Sequence, residues 1–145
     1  MPTHNPASSP VVDPALASRL IAAAVDARRH AHAPYSQFQV GAAVLTASGE
    51  IFAGCNVENA SYGLTICAER AAVCAAVAAG HKQITAVAVA TAGGHSPCGA
   101  CRQVLHEFGP AMGVVLVDAV DPARERRTTL DLLLPDSFSG DLLRA

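Results

Sequence analysis

Cys67-Ala68-Glu69-Arg70 and, further on, Pro97-Cys98-Gly99-Ala100-Cys101-Arg102 are the two segments on which the reading of this chain turns. Cys98 and Cys101 stand at i and i+3 behind a proline that favours a helix start. On a helix that spacing puts both sulfurs on one face, a turn apart, where a single ion reaches both. Cys67 brings a third sulfur from a separate element that also opens a helix-forming run. Three thiolates at ~2.3 Å leave one corner of a zinc tetrahedron open to water, the arrangement of a catalytic rather than a structural site. Glu69 stands two residues from a ligand, close enough to move that water's protons.

Taken alone, Cys98 and Cys101 read equally well as a redox pair or as half of a structural zinc knuckle. Against both, no further cysteine or paired histidine completes a four-ligand site at the usual spacing. His95 is the one nearby imidazole, and Gly93-Gly94-His95-Ser96 around it reads as a flexible loop. A Cys-x-Glu followed downstream by Pro-Cys-x-x-Cys, each opening a helix, is the pattern of zinc-dependent nucleobase deaminases, here with cysteine in place of histidine.

A length of 145 residues suits one domain with a real core. We expect a loose arm over residues 1–12 and a single catalytic domain over 13–145. Abundant apolar residues with few charges point weakly to oligomer interfaces. A formal net charge of −2 argues against a nucleic-acid partner, which needs clustered Lys and Arg. Arg124 to Arg127, the only basic run, is interrupted by Glu125 and reads as a solvated loop. The N-terminus lacks a basic start and an apolar core, and no apolar run approaches a membrane span. Five cysteines is an odd number for a disulfide framework, so a reducing cytoplasm is expected, with three cysteines on metal. Cys55 and Cys74 are left to fill buried apolar space.

Working outward from the two segments, Asp13 reads as an N-cap with Pro14 at the first helical position, opening an amphipathic helix to about His30. Phe38 to Leu45 and Ile51 to Val57, joined by Ala47-Ser48-Gly49-Glu50, predict an antiparallel hairpin. Asn56, Glu58 and Asn59 crowd its far end, either as turn formers or, being close before Cys67, as substrate contacts. Residues 67–79 predict a helix stopped by Gly80, Ile84 to Ala90 a buried strand, and Cys98 to about Phe108 a second helix ending at Gly109-Pro110. Gly113 to Val117 predicts another buried strand, and Thr129 to Leu134 a short helix closed by Pro135. Two strand–helix–strand crossovers imply an α/β fold: a three-layer sandwich whose mixed, five-stranded-type sheet carries helices on both faces. Both metal helices would begin on the same side of the sheet, where their N-termini favour thiolate over thiol.

At this point the chain resembles the small, homotetrameric cytidine deaminases over roughly residues 14 to 140. The likeness lies in Ala33-Pro34-Tyr35-Ser36-Gln37-Phe38-Gln39-Val40-Gly41-Ala42-Ala43, in Gly54 to Tyr62, in Cys67 to Arg70, in Pro97 to Gln103 and in Leu134-Pro135-Asp136-Ser137-Phe138. The resemblance implies one Zn²⁺ per subunit on Cys67, Cys98 and Cys101, with Glu69 as proton shuttle. It implies that Asn56 and Glu58 hold the ribose, that Phe38 packs on the pyrimidine and that the Ala68 backbone meets the base. Phe138 and Tyr62 would reach a neighbouring subunit's pocket in a homotetramer. For Phe38 and Phe138, plain core packing is the competing reading. Three thiolates leave zinc with a net charge of −1, so Arg70 is expected to donate to the sulfurs, with Arg102 as a second candidate. The implied activity is hydrolytic deamination of cytidine and 2′-deoxycytidine in pyrimidine salvage. Deamination of a cytosine-bearing antibiotic or modified nucleoside is the nearest alternative, and a structural zinc module a more distant one.

Overall fold

The computed structural model describes residues 12–144. The expected N-terminal arm lies outside the described residues except for Val12, which packs against the core. Asp13 caps the first helix, α1 (Pro14–Arg28), its side chain accepting from the N–H groups of Ala15 and Leu16. The hairpin follows as β1 (Gly41–Thr46) and β2 (Ile51–Cys55), turning at Gly49, whose φ of +90° suits a residue without Cβ. Next come α2 (Ala68–Ala78), β3 (Ile84–Thr91), α3 (Gly99–Phe108), β4 (Gly113–Asp118), β5 (Glu125–Thr129) and the single turn α4 (Leu130–Leu133).

The strands form one sheet in the order β2-β1-β3-β4-β5. β1 is antiparallel to both β2 and β3, while β3 and β4 are parallel. β2 and β3 therefore run the same way on either side of β1, and the passages through α2 and α3 are both crossovers between parallel strands. Alternation along the strands sorts the core into two layers. Ala43, Ala86, Ala88 and Ala90 meet Leu20 and Ala24 of α1, where small residues let the helix lie close. Val44, Val87, Val89 and Leu116 turn to the other face, against Ala72, Val73 and Leu105 of α2 and α3. The expected three-layer α/β sandwich is the fold observed.

Three local readings need correcting. Glu125 to Arg127, within the run read as a solvated loop, and Thr129, read as the start of a helix, belong to β5, paired antiparallel with β4 from Gly113↔Thr129 to Val117↔Glu125. Its Glu125, Arg126 and Arg127 are exposed, so the strand exists through its ladder with β4 and not through an apolar pattern of its own. The first hairpin strand begins at Gly41 and not at Phe38, because side chains hold residues 38–40, as described below. Cys74 is exposed and Cys55 half-buried. Cys74 misses the α2 stripe of Ala68, Glu69, Ala72, Val73 and Ala76 that faces the core.

Candidate active site and metal centre

Because β2 and β3 point the same way, the helices that follow them start at the same edge of the sheet, outside the carboxyl ends of the strands. Each of these helices has a cysteine at its N-cap position. Cys67 precedes α2 and Cys98 precedes α3, both in extended conformation and neither making a side-chain cap hydrogen bond. Cys101, buried, follows within the first turn of α3. The three sulfurs lie within 4.8 Å of one another, and among the described residues no fourth His, Cys, Asp or Glu joins them. Zinc–sulfur bonds of ~2.3 Å place tetrahedral ligands about 3.8 Å apart, so small side-chain rotations satisfy the ion. A soft all-sulfur donor set of this kind suits zinc. The residues fit the metal.

Electrostatics agree with that fit. Arg70 Nη2 donates to Cys67 Sγ at 3.0 Å. The Cys67 thiol is pulled down to about 5, first by a hydrogen bond from the Cys101 thiol and next, against the effect of burial, by the Arg70 guanidinium. Cys101 is pushed up, first by that same bond, which holds its proton, and then by burial and the charge of Glu69. Metal binding must displace the proton that Cys101 keeps. Glu69 sits on the first turn of α2, only 5% exposed, and burial raises its carboxyl above the usual range. A carboxyl so placed holds a proton more readily than an exposed one and can release it again.

Glu69, Ala68, Cys67 and Cys98 line a cavity of about 310 Å³ together with Phe38, Asn56 and Glu58. That size lies at the lower end of small-molecule sites, about 300–1,000 Å³. Asn56 is nearly buried, at 8% exposure, and its amide is used on the backbone of residues 38–40. Its Oδ1 accepts from Val40 N at 2.8 Å and its Nδ2 donates to Phe38 O at 2.8 Å. Glu58 Oε1 accepts from the N–H groups of Tyr35 at 2.9 Å and Ser36 at 3.1 Å, while its Oε2 accepts from the Ser36 hydroxyl. The Ser36 hydroxyl is the first cause that holds the Glu58 carboxyl below the usual carboxylate range. Both residues thus shape the cavity wall, and each keeps spare hydrogen-bonding capacity for a ligand.

The model of the cytidine and deoxycytidylate deaminase zinc-binding region matches residues 15–117 of the chain, a span that includes all three cysteines and Glu69. This chain belongs to the cytidine and deoxycytidylate deaminase family. It is 48% identical over 126 residues to the cytidine deaminase of Sporosarcina psychrophila, covering 85% of this chain and 91% of that one. To the cytidine deaminase of Mycobacterium tuberculosis it is 48% identical over 122 residues, 81% of this chain and 86% of the relative. The crystal structure of the Burkholderia pseudomallei cytidine deaminase superposes with a TM-score of 0.77 at 51% identity, covering 83% of this chain and 98% of the other.

Two residues that the family likeness assigns to substrate are not brought into this chain's own cavity. Tyr62 is 73% exposed and meets Tyr35 edge-on, and Phe138 is 58% exposed, with only its carbonyl held, by Gln103 Nε2. Arg102 is turned away from the sulfurs. Its Nε donates to Pro97 O and its Nη1 to Leu133 O, which ties the start of α3 to α4. The sequence reading missed Thr65 and Ser36 as cavity residues, and placed His95 only in a loop. His95 in fact lines the cavity with its ring 6.1 Å from that of Phe38. Ser36 and Thr65 carry no spacing signal, since they reach the site through the fold.

Proposed function

We propose that this protein, through one catalytic domain, converts cytidine and 2′-deoxycytidine to the corresponding uridines with release of ammonia. The observation that supports this most directly is a trio of sulfurs, two of which (Cys67 and Cys98) line one cavity with the buried carboxyl of Glu69 and with Asn56 and Glu58. Cys67, Cys98 and Cys101 would hold one zinc ion, which when bound supplies the Lewis acidity that makes water a nucleophile at neutral pH. Glu69 accepts a proton from the attacking water and delivers it to the ring nitrogen beside the amine-bearing carbon. Water oxygen adds to that carbon. Glu69 then passes the second proton to the amine, which departs as ammonia, so one carboxyl serves as base and then as acid.

Phe38 flanks the pyrimidine, the Ala68 backbone meets the base, and Asn56 with Glu58 receives the ribose hydroxyls. Arg70 offsets the excess negative charge of three thiolates. Its replacement by Ala should weaken zinc retention or turnover at least about tenfold, and zinc content and kcat both at wild-type values would sink that role. The exposed Tyr62 and Phe138 support a homotetramer in which each reaches a neighbour's pocket. We place the enzyme in the cytoplasm, in pyrimidine salvage, where the three ligand thiols stay reduced. Among the described residues no helix is long and apolar enough to cross a membrane.

The deciding experiment is an ultraviolet assay on zinc-loaded protein with cytidine and 2′-deoxycytidine, coupled to ammonia detection. Turnover of both with equimolar ammonia is expected. Zinc-replete protein that releases no ammonia from either would overturn the reading.

A further inference from the structure

Residues 38–40 form an extended stretch of the cavity wall, yet they lie outside the β1 ladder, which starts at Gly41. Asn56, through its backbone N–H to Val40 O at 3.2 Å and its side chain, and Arg28 hold this stretch. On one side Asn56 takes Phe38 O and Val40 N. On the other, Arg28 at the end of α1 donates from Nε to Gln39 O at 3.0 Å. Alternation along an extended chain points the carbonyl of residue 39 opposite to that of residue 38, so Asn56 and Arg28 grip opposite edges of one backbone. Just upstream, Gln37 has a φ of +59° and Ser36 Oγ accepts from Phe38 N at 3.0 Å, which marks a bend ahead of the gripped stretch.

The reach of Arg28 depends on a close approach between α1 and β1. A Cβ on Gly41 would lie 2.0 Å from Ala24 O and 2.6 Å from Arg28 N, so only glycine there lets the last turn of α1 settle against the wall. Arg28 itself is not among the residues lining the cavity, and the side-chain hydrogen bond it makes goes to the Gln39 carbonyl.

We infer that Arg28 is a positioning residue for substrate: from the helix on the opposite face of the sheet it fixes the Gln39 peptide and thereby the placement of the Phe38 ring. Removing the donor leaves a half-buried carbonyl unpaired and lets the wall shift. Displacing a substrate-positioning wall by a fraction of an ångström costs binding more than it alters the proton chemistry at Glu69. The inference rests on the reading of the cavity as a nucleoside site.

The test uses zinc-loaded, full-length protein. Wild type is assayed first for cytidine turnover and, by titration calorimetry, for uridine binding; failure of both would defeat the nucleoside reading itself. Given an active wild type, Arg28→Met, which keeps length and apolar stem but loses the donor, should raise KM for cytidine and Kd for uridine about five- to tenfold. Its zinc content should be unchanged and its kcat within about twofold, and Arg28→Lys should recover part of the loss. Should Arg28→Met not fold, Arg28→Gln carries the same comparison. In a Phe38→Ala background the Arg28→Met cost should shrink below about twofold, as for two residues acting through one contact. A variant with lowered melting temperature but wild-type KM and Kd, or an undiminished cost in the Phe38→Ala background, would overturn the assignment.

Discussion

The three long helices among the described residues begin in two different ways. At α1 the N-cap is Asp13, whose carboxylate accepts from Ala15 N at 2.8 Å and Leu16 N at 3.3 Å, and Pro14 occupies the first helical position. At α2 and α3 the same position is taken by Cys67 and Cys98, which make no side-chain cap bond. A good N-cap contributes about 1 kcal/mol. Two of the three helix starts therefore forgo a stabilising contact, and those two converge on the cavity. Their uncompensated N–H groups and helix dipoles favour thiolate at the sulfurs. One start is capped for the fold, and under the proposed function the other two carry sulfurs for the metal.

The sharpest way to break this contrast is Cys98→Ser, which installs a better N-cap while deleting a ligand. Zinc binding and deamination should both be lost, whereas the metal-free form should gain about 0.5–1 kcal/mol in denaturant melts. Retained zinc with retained turnover would show that the position is not a ligand. Glu69→Gln comes next: kcat should fall about 10²- to 10⁴-fold with zinc stoichiometry intact, read by metal analysis beside the ultraviolet assay. A variant that keeps most of its kcat would remove Glu69 from the chemistry.

A smaller effect is expected where α2 leans on β2. A Cβ on Gly54 would lie 2.6 Å from Ala72 N and 2.8 Å from Ala68 O, both backbone atoms that cannot rotate away. Gly54→Ala should destabilise by about 1–3 kcal/mol and, by displacing the helix that carries Glu69, also lower turnover. An unchanged melting temperature would mean the helix start is less tightly seated than described. Smallest of all, Asp13→Ala should cost about 1 kcal/mol in stability with kcat and KM unchanged, and any loss of KM would show that the structural helix start reaches the site after all.

Much of this was legible from residues alone where the cause is local. Asp13-Pro14 announces a helix, Gly80 with a φ of +94° stops one, and the i, i+3 spacing of Cys98 and Cys101 gives two sulfurs on one face. Partnerships across the sheet were not legible. Glu125, Arg126 and Arg127 carry no apolar alternation, and only the neighbouring β4 makes them a strand. Asn56 and Glu58 announced a polar strand end, but that their side chains hold the backbone at residues 35–40 depends on a loop brought alongside by the hairpin. The reach of Arg28 from α1 was invisible for the same reason. Arg70 and Arg102 each follow a candidate metal cysteine closely, and spacing could not tell that one turns to sulfur and the other to the Leu133 carbonyl.

The sheet ends at β5, and among the described residues no strand pairs with its outer side. Such a margin is a template on which a stray chain could extend the ladder into a fibril. Arg127, paired with Glu125 at 2.9 Å, and Arg126, bonded to the Ser96 hydroxyl, stand along that rim as partly solvated charges that a strand arriving there must desolvate before it can dock. The basic run that gave no signal of structure thereby acts as a guard against self-association in its least wanted form.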